Sequence, residues 1–384
     1  MDFKNYLVPG KTGLLIGIGG VSMSPLAEVL HDAGLDIRGS DMAESSNTLT
    51  LRERGIPIHI GHSADNVTDD ISFVIRTAAV HDDNPEVHEA HRRGIPVFER
   101  TQAWGALMRG YQNALCISGT HGKTTTTSMC THIMMAAEKD PTVMIGGTLP
   151  LLKACHRVGK GNTIIMESCE YYNSFLALNP TIAVVLNIEA DHLDFFKDLE
   201  DIKHSFRCFA ERVPAETGTV IANYDDANTM DALRGIARKV ITFGLNAKAD
   251  VYAQNIVHRG SVSEFDIYHR GNYFARVTLH VPGIHNVRNA LAATAAAIVL
   301  GVSPNAVKYG LAGFEGAGRR FDFKGKFQGA DLYDDYAHHP SELRALLDAV
   351  DTLNYQRTIV VFQPHTYSRT AKLFNDFVEQ LRRP

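Results

Sequence analysis

A chain of 384 residues with 45% apolar content has ample material for a buried core and predicts two or three domains rather than one. Its net charge of −5, with Lys and Arg scattered singly, argues against an electrostatic nucleic-acid footprint, so no nucleic-acid partner is expected. No apolar run reaches the roughly 18 residues of a membrane helix, and Met1-Asp2-Phe3-Lys4-Asn5 lacks a hydrophobic signal region, so neither a membrane span nor export is indicated.

From Gly13 to about Gly110 short apolar runs (Leu14 to Ile16, Leu35 to Ile37, Phe73 to Ile75, Ile95 to Phe98) alternate with helical patterns (Leu26 to Leu30, Glu86 to Arg93, Ala103 to Met108). This is βαβ rhythm, and it predicts a parallel sheet with ligand loops at the strand C-termini. Gly17-Ile18-Gly19-Gly20-Val21-Ser22 follows the first strand, and Asp41 closes the next. The pattern lacks the third glycine of a dinucleotide fingerprint, where Ser22 stands. It reads as a diphosphate site for a nucleotide-linked substrate, with an NAD site or an unliganded tight turn as alternatives.

A second unit begins at Asn113. Strand Ala114 to Ser118 leads into Gly119-Thr120-His121-Gly122-Lys123-Thr124-Thr125-Thr126-Thr127, and a helix runs from Ser128 to Ala137. Strand, glycine loop and helix in register describe a phosphate-binding loop. Glycines let backbone N–H groups close on anionic oxygens, Lys123 neutralises phosphate, and a hydroxyl beside it ligates Mg²⁺. The common Walker spacing is absent because Ile117 stands where it needs glycine. Strands Thr142 to Ile145, Thr163 to Met166 and Ile182 to Leu186 follow, each leading into a polar or glycine-rich loop. Glu167 ends one of them and reads as a metal carboxylate or an exposed strand end. His192, in Asn187-Ile188-Glu189-Ala190-Asp191-His192-Leu193-Asp194, reads as a ligand for a second ion or a structural histidine.

Between Asp250 and Val281 strands alternate without helices (Val251 to Ala253, Phe265 to Tyr268, Ala275 to Leu279), predicting an antiparallel addition. His285-Asn286-Val287-Arg288-Asn289 opens an Ala-rich helix running to Leu300; its amides either read a nucleobase edge or cap the helix. Gly318-Arg319-Arg320-Phe321-Asp322 marks a domain junction where a guanidinium can reach a phosphate. A third α/β pattern then runs through strand Asp331 to Tyr333, helix Ser341 to Val350, strand Thr358 to Phe362 and helix Ala371 to Leu381. It stops at Pro384, so the C-terminal domain is expected to be incomplete and the least stable part of the molecule. Two of its strand-end loops, Asp334 to Pro340 and Gln363 to Arg369, each combine His with charged residues and look like a site. The five cysteines, Cys116, Cys130, Cys155, Cys169 and Cys208, contain no Cys-x-x-Cys pair and read as free thiols of a reducing cytoplasm.

Taken together, Ile16 to Ser24, Gly39-Ser40-Asp41, Asp83 to Glu86, Gly119 to Thr127, Asn187 to His192, His285 to Asn289, Phe314 to Asp322, Asp334 to Pro340 and Phe362 to Arg369 resemble the Mur ligase family over essentially the whole chain. Two departures stand out. Ser22 replaces a usual glycine, and Glu167-Ser168-Cys169-Glu170 keeps both carboxylates of a common Glu-Ala-Asp-Glu run but loses its central aspartate. The resemblance implies a three-domain α/β fold: a Rossmann-like UDP-binding domain over 1–112, a P-loop ATPase-type domain with added antiparallel strands over 113–318, and the start of a Rossmann-like ligase domain over 319–384. It implies a cytoplasmic, ATP- and Mg²⁺-dependent ligase that joins L-alanine to the carboxylate of UDP-N-acetylmuramate through an acyl phosphate.

By that resemblance Gly119, Thr120, His121, Gly122, Lys123, Thr124 and Thr125 hold ATP, with His285 and Asn289 on adenine, Arg320 on phosphates and Asp335 on ribose. Thr124 and Glu167 ligate one ion and His192 another. Gly19, Gly20, Ser22, Ser40, Asp41, Thr77 and Asn84 hold the UDP-sugar, Tyr336, His365 and Arg369 the amino acid, and Lys123, Glu167, His192, His338 and Arg369 form the catalytic set. A ligase that attaches a recycled peptide to the same sugar shares nearly all these motifs, and a nucleotide-binding form without turnover is the other alternative. An NAD-dependent dehydrogenase explains the first loop only.

Overall fold

The apolar runs become strands because they have no polar face to show water. In the computed structural model, which describes residues 2–77 and 79–383, these strands belong to two compact units. One comprises Met1–Gln112 with His156–Val158 and Ala177–Asn179; the other comprises Asn113–Cys155, Gly159–Leu176 and Pro180–Pro384.

In the first unit β1 (Thr12–Ile16), α1 (Met23–Asp32), β2 (Asp36–Asp41), α2 (Ser46–Glu53), β3 (Ile58–Ile60), β4 (Ile71–Arg76), α3 (Pro85–Arg92), β5 (Val97–Glu99) and α4 (Arg100–Met108) follow one another. The sheet order is β3-β2-β1-β4-β5, with every pairing parallel. The order reverses direction beside β1, so the glycine loop that follows β1 opens at a topological switch point, where doubly wound folds bind ligands. All of β1 is buried. Leu14, Ile16, Val74, Val87 and Ala90 pack as one apolar cluster.

The second unit holds a ten-stranded sheet in the order β15-β14-β13-β12-β11-β10-β6-β9-β7-β8. Its members are β6 (Asn113–Ser118), β7 (Thr142–Leu149), β8 (Ala154–Arg157), β9 (Thr163–Glu167), β10 (Ile182–Val185), β11 (Thr219–Asn223), β12 (Lys239–Gly244), β13 (Val251–Arg259), β14 (Val262–His269) and β15 (Asn272–Leu279). The last three form the expected antiparallel addition. Helices α5 (Lys123–Ala136), α6 (Leu199–Glu211), α7 (Ala227–Ala232), α8 (Ile284–Val299) and α9 (Pro304–Ala312) accompany it. α5 is rich in hydroxyl residues yet mostly buried. Thr127, Ser128 and Thr131 each donate to the carbonyl four residues back, at 2.8 Å, so these three hydroxyls are satisfied within the helix.

The remaining segment carries β16 (Asp322–Phe327), β17 (Ala330–Asp334), α10 (Pro340–Asp351), α11 (Tyr367–Lys372) and α12 (Phe374–Leu381). Here the structure differs from the sequence reading. β17 pairs antiparallel with β16 in a hairpin instead of opening a parallel unit. Residues 358–362 form no ladder, with Ile359 71% and Val361 95% exposed. An apolar alternation becomes a strand only when a neighbour takes its backbone donors and acceptors, and no described strand does so. The helix expected over Ala371 to Leu381 is two helices, interrupted at Leu373 with φ −109° and ψ 23°. Helices α2, α6, α7 and α9 were not read from the sequence.

In hydrogen exchange, amides of 358–362 should exchange at least about 10³-fold faster than those of β10, which is laddered on both sides by β6 and β11. Equal protection would reveal a pairing partner that the described residues lack.

Candidate active site

Two glycines shape the phosphate loop. Gly119 has φ +145° and Gly122 φ +83°, and a Cβ on Gly122 would lie 2.7 Å from the Asn289 Oδ1. A side chain at either position would meet both backbone strain and its neighbours. The loop after β10 clasps the phosphate loop from the side. The Asn187 Oδ1 accepts from the His121 N–H at 2.8 Å, its Nδ2 donates to the His121 carbonyl at 3.1 Å, and the Glu189 N–H donates to the Thr120 hydroxyl at 2.9 Å.

Lys123 is folded back into this loop. Its Nζ donates to the Gly119 carbonyl at 2.5 Å and the Thr120 carbonyl at 3.1 Å, and pairs with Glu170 Oε2 at 3.0 Å. Burial works against the ammonium charge, but Glu170 beside it more than offsets this, so the pKa is raised. Thr124 Oγ1 donates to Glu167 Oε1 at 3.0 Å, and Glu167 Oε2 accepts from the Gly146 N–H at 2.6 Å. The expected pair Thr124 and Glu167 is therefore brought together. His192, at φ +51°, stacks on Tyr171 with centroids 4.2 Å apart, and its Nε2 lies 3.8 Å from Glu170 Oε1. Glu170, 2% exposed, thus joins Lys123 to His192. The sequence reading gave it no role; its spacing of three from Glu167 after a strand was the available signal.

Above the loop lies a cavity of about 530 Å³ lined by His121, Gly122, Thr124, Thr125, His285, Asn289, Arg320 and Asp335, together with Ser341 and Glu342 of α10. Burial, then the charges of nearby Arg288 and Arg320, push His285 down to about 4, so its ring is neutral at pH 7. The Asn289 amide donates to the Asn286 Oδ1 at 3.2 Å. Asp335 accepts from the Phe321 and Ala337 N–H groups, each at 2.7 Å, and burial raises its pKa. Arg320 lies 3.5 Å from Glu342 Oε1. His121 reaches Ser341 Oγ at 2.9 Å, Glu189 at 3.4 Å and Glu342 at 3.3 Å. Burial disfavours its charge, but Glu189 and Glu342 outweigh burial and hold it near 9.

A second cavity, of about 310 Å³, is lined by Tyr336, His338, His365 and Arg369 together with Asp191 and His192. Arg369 is already engaged there. Its Nε and Nη2 donate to Asp191 at 3.0 and 3.2 Å, and the two side chains are 8% and 9% exposed. Lys372 Nζ donates to the Leu193 carbonyl at 2.7 Å, which fixes α11 on the same loop. The His338 Nδ1 lies 2.7 Å from the Tyr336 carbonyl oxygen, and the Arg319 guanidinium sits 4.4 Å over the Tyr336 ring. Asp191 was not singled out from the sequence, because its partner stands 178 residues away.

In the first unit Asp41 braces the glycine loop. Its Oδ2 accepts from the Gly19 N–H at 2.8 Å, while Asn47 donates to the Gly19 carbonyl at 2.8 Å. The Gly20 N–H turns back to the Gly17 carbonyl at 3.1 Å, and the Ser22 carbonyl accepts from the Trp104 indole at 3.3 Å. Ser40 is fully buried and donates to Glu86 Oε2 at 2.7 Å; His62 Nδ1 lies 2.7 Å from the same oxygen, and Asn66 donates to the other at 2.6 Å. Asn84 caps α3 by accepting from the Glu86 and Val87 N–H groups. Thr77 accepts from the Ala79 N–H at 3.0 Å. Residue 78 of the Thr77 to Asn84 loop lies outside the described residues. The side chains of Ser40 and Asn84 are thus turned into the framework around Glu86.

Three family models match in succession: the catalytic domain of the Mur ligase family over residues 15–112, the Mur ligase middle domain over 117–297 and the glutamate ligase domain over 319–384. The UDP-N-acetylmuramate–L-alanine ligase of Agathobacter rectalis is 46% identical over 367 residues, covering 95% of this chain and 80% of that protein. Among solved structures, the UDP-N-acetylmuramate-alanine ligase of Thermotoga maritima superposes with a TM-score of 0.78 at 31% identity, over 94% of this chain and 83% of the other. The UDP-N-acetylmuramate:L-alanyl-gamma-D-glutamyl-meso-diaminopimelate ligase of Neisseria meningitides gives 0.72 at 26% identity, over 80% and 99%. The chain belongs to the Mur ligase family.

Replacing Asp191 with Ala strands the buried Arg369 charge and should weaken the docking of 365–383 by about 3–5 kcal/mol. Limited proteolysis would read this as early cleavage in that segment. A second change, Arg369→Met, should restore much of the resistance; no difference between Asp191→Ala and the unaltered protein would mean the pair does not hold the segment.

Proposed function

We propose that this protein is an ATP-dependent ligase that joins L-alanine to the carboxylate of UDP-N-acetylmuramate. The observation that carries the reading is the convergence of Lys123, Thr124 and Glu167 beneath a cavity of nucleotide size, in a chain 46% identical to a ligase of that name. A carboxylate is a poor electrophile. Transfer of the γ-phosphoryl group makes an acyl phosphate, and the amine of alanine then attacks the carbonyl carbon and expels phosphate. Lys123 supplies positive charge where the transferring group becomes most negative.

The donors around the loop fit Mg²⁺, since a hydroxyl and a carboxylate oxygen stand 3.0 Å apart with the Glu170 carboxylate nearby. Thr124 and Glu167 would hold one ion and His192 a second, supplying Lewis-acid neutralisation of phosphate charge. His285, neutral, and Asn289 face adenine, Arg320 the phosphates and Asp335 the ribose. Both Asp335 oxygens already accept backbone N–H groups, so the carboxylate is fixed in orientation before a ribose arrives. Tyr336, His338, His365 and Arg369 line a cavity suited to a small amino acid, with Arg369 held in place by Asp191. Gly19, Gly20, Ser22 and Asp41 form the UDP-sugar loop; Ser40, whose carbonyl accepts from the Gly17 and Ile18 N–H groups, and Thr77 support it, and Asn84 opens α3 in the same side-chain framework as Glu86. No helix among the described residues is long and apolar enough to cross a membrane, and a cytoplasmic location fits a soluble nucleotide-sugar substrate.

Phosphate release measured with L-alanine and with a murein tripeptide separates this reading from the peptide-attaching one. Turnover only with the tripeptide would replace it. In the same assay Lys123→Ala should lower turnover by roughly 10²–10³-fold with the fold intact by circular dichroism; near-normal rates would remove the phosphate loop from the mechanism. Asp41→Ala releases the brace on Gly19 and should weaken UDP-sugar binding roughly tenfold or more, leaving ATP binding nearly unchanged. Calorimetric titration with each ligand decides it, and equal losses for both would overturn the division of sites.

A further inference from the structure

The loop after β10 and the first turn of α10 bring three ligand atoms to one point beside the phosphate loop: His121 Nε2, Glu189 Oε2 and His339 Nδ1. Glu189 Oε2 lies 3.4 Å from the His121 nitrogen and 3.9 Å from the His339 nitrogen, and all three atoms fall within 4.8 Å of one another. A tetrahedral ion with bonds of about 2.0–2.1 Å has ligand atoms about 3.3–3.4 Å apart, so the His121–Glu189 separation already fits and His339 must move in toward the other two to close the site.

His339 is set in the ligating form. It is 6% exposed, and its Nδ1 accepts from the Ser341 N–H at 3.4 Å as the N-cap of α10. That contact requires a lone pair on Nδ1 and places the ring proton on Nε2, which has no partner among the described residues. Ser341 Oγ sits between the rings, 2.7 Å from His339 Nδ1 and 2.9 Å from His121 Nε2. Nδ1 has one lone pair, so ligation replaces its contacts to Ser341, and the freed hydroxyl or a water can fill a fourth position.

We propose that His121, Glu189 and His339 form a binding site for one borderline divalent ion of the Zn²⁺ class, separate from the oxygen-rich position around Thr124 and Glu167. Two imidazoles and one carboxylate select Zn²⁺, Co²⁺ or Ni²⁺ over Mg²⁺. The ion takes the place of the proton on the His121 Nε2, the nitrogen that faces Glu189, while Nδ1 keeps its partner Glu342. Because His121 belongs to the phosphate loop and His339 to the start of α10, an occupied site ties these two elements together. The inference stands whether or not the ligase reading holds, since it concerns binding by the protein alone.

The full chain is titrated with Co²⁺ in excess Mg²⁺, following the visible ligand-field absorption of a four-coordinate ion. The expected result is one equivalent bound and displaced by Zn²⁺. His339→Gln and the near-isosteric Glu189→Gln should each weaken binding by roughly 100-fold while keeping a cooperative thermal transition, and His192→Ala should leave it unchanged. If His339→Gln does not fold, Glu189→Gln carries the decision alone. Absence of the absorption, its persistence in Glu189→Gln, or its loss in His192→Ala or Cys169→Ser would overturn the proposal.

Discussion

A largely enclosed ammonium, 14% exposed, is the constraint around which the second unit is arranged. Lys123 sits at the start of a helix inside a loop of backbone carbonyls, where a lone charge is intolerable. Its partner Glu170, 2% exposed, is brought beside it by the chain that leaves the sheet after β9. His192 and Asp191 share that anion's neighbourhood, and Asp191 in turn neutralises Arg369. One unavoidable pairing thus propagates through four side chains and ties α11 to the strand ends of the central sheet.

The two cavities divide the chemistry by charge. The larger one is walled by a neutral imidazole, His285, and by amide side chains, with Arg320 and the cationic His121 toward the phosphate loop. The smaller one gathers imidazoles and a guanidinium whose charge Asp191 has already met. α10 contributes to the larger through Ser341 and Glu342, and the turn before it contributes to the smaller through His338. A single short stretch, Tyr336 to Glu342, therefore looks into both.

Much of this was legible in the sequence. The phosphate loop was, because backbone conformation demands Gly119 and Gly122 and chemistry demands Lys123 and Thr124, all within six positions of sequence. Thr124 and Glu167, read together from the sequence, stand together because strand ends of one parallel sheet converge on one edge. Glu170, Asp191 and Glu86 escaped notice for a common reason: each is defined by a partner remote in sequence, Lys123, Arg369 and Ser40. Ser40 and Asn84 were read as ligand contacts because short polar residues at strand ends and helix starts serve binding and framework equally well. The strand expected at 358–362 failed because pairing is a property of two segments, and the apolar alternation of one cannot supply the other.

The hydroxyl residues of α5 have an effect beyond their own hydrogen bonds. By returning to carbonyls within the helix, Thr127, Ser128 and Thr131 let its later turns lie buried between the sheet and α8 and α9 without a polar partner of their own outside the helix. Each peptide dipole of that helix then acts through a poorly polarisable surrounding, so the partial positive charge at its amino end is weakly screened. That end is the phosphate loop. The threonines and serine one and two turns behind it, which touch no ligand in any reading of the site, thus add to the field that an incoming anion meets.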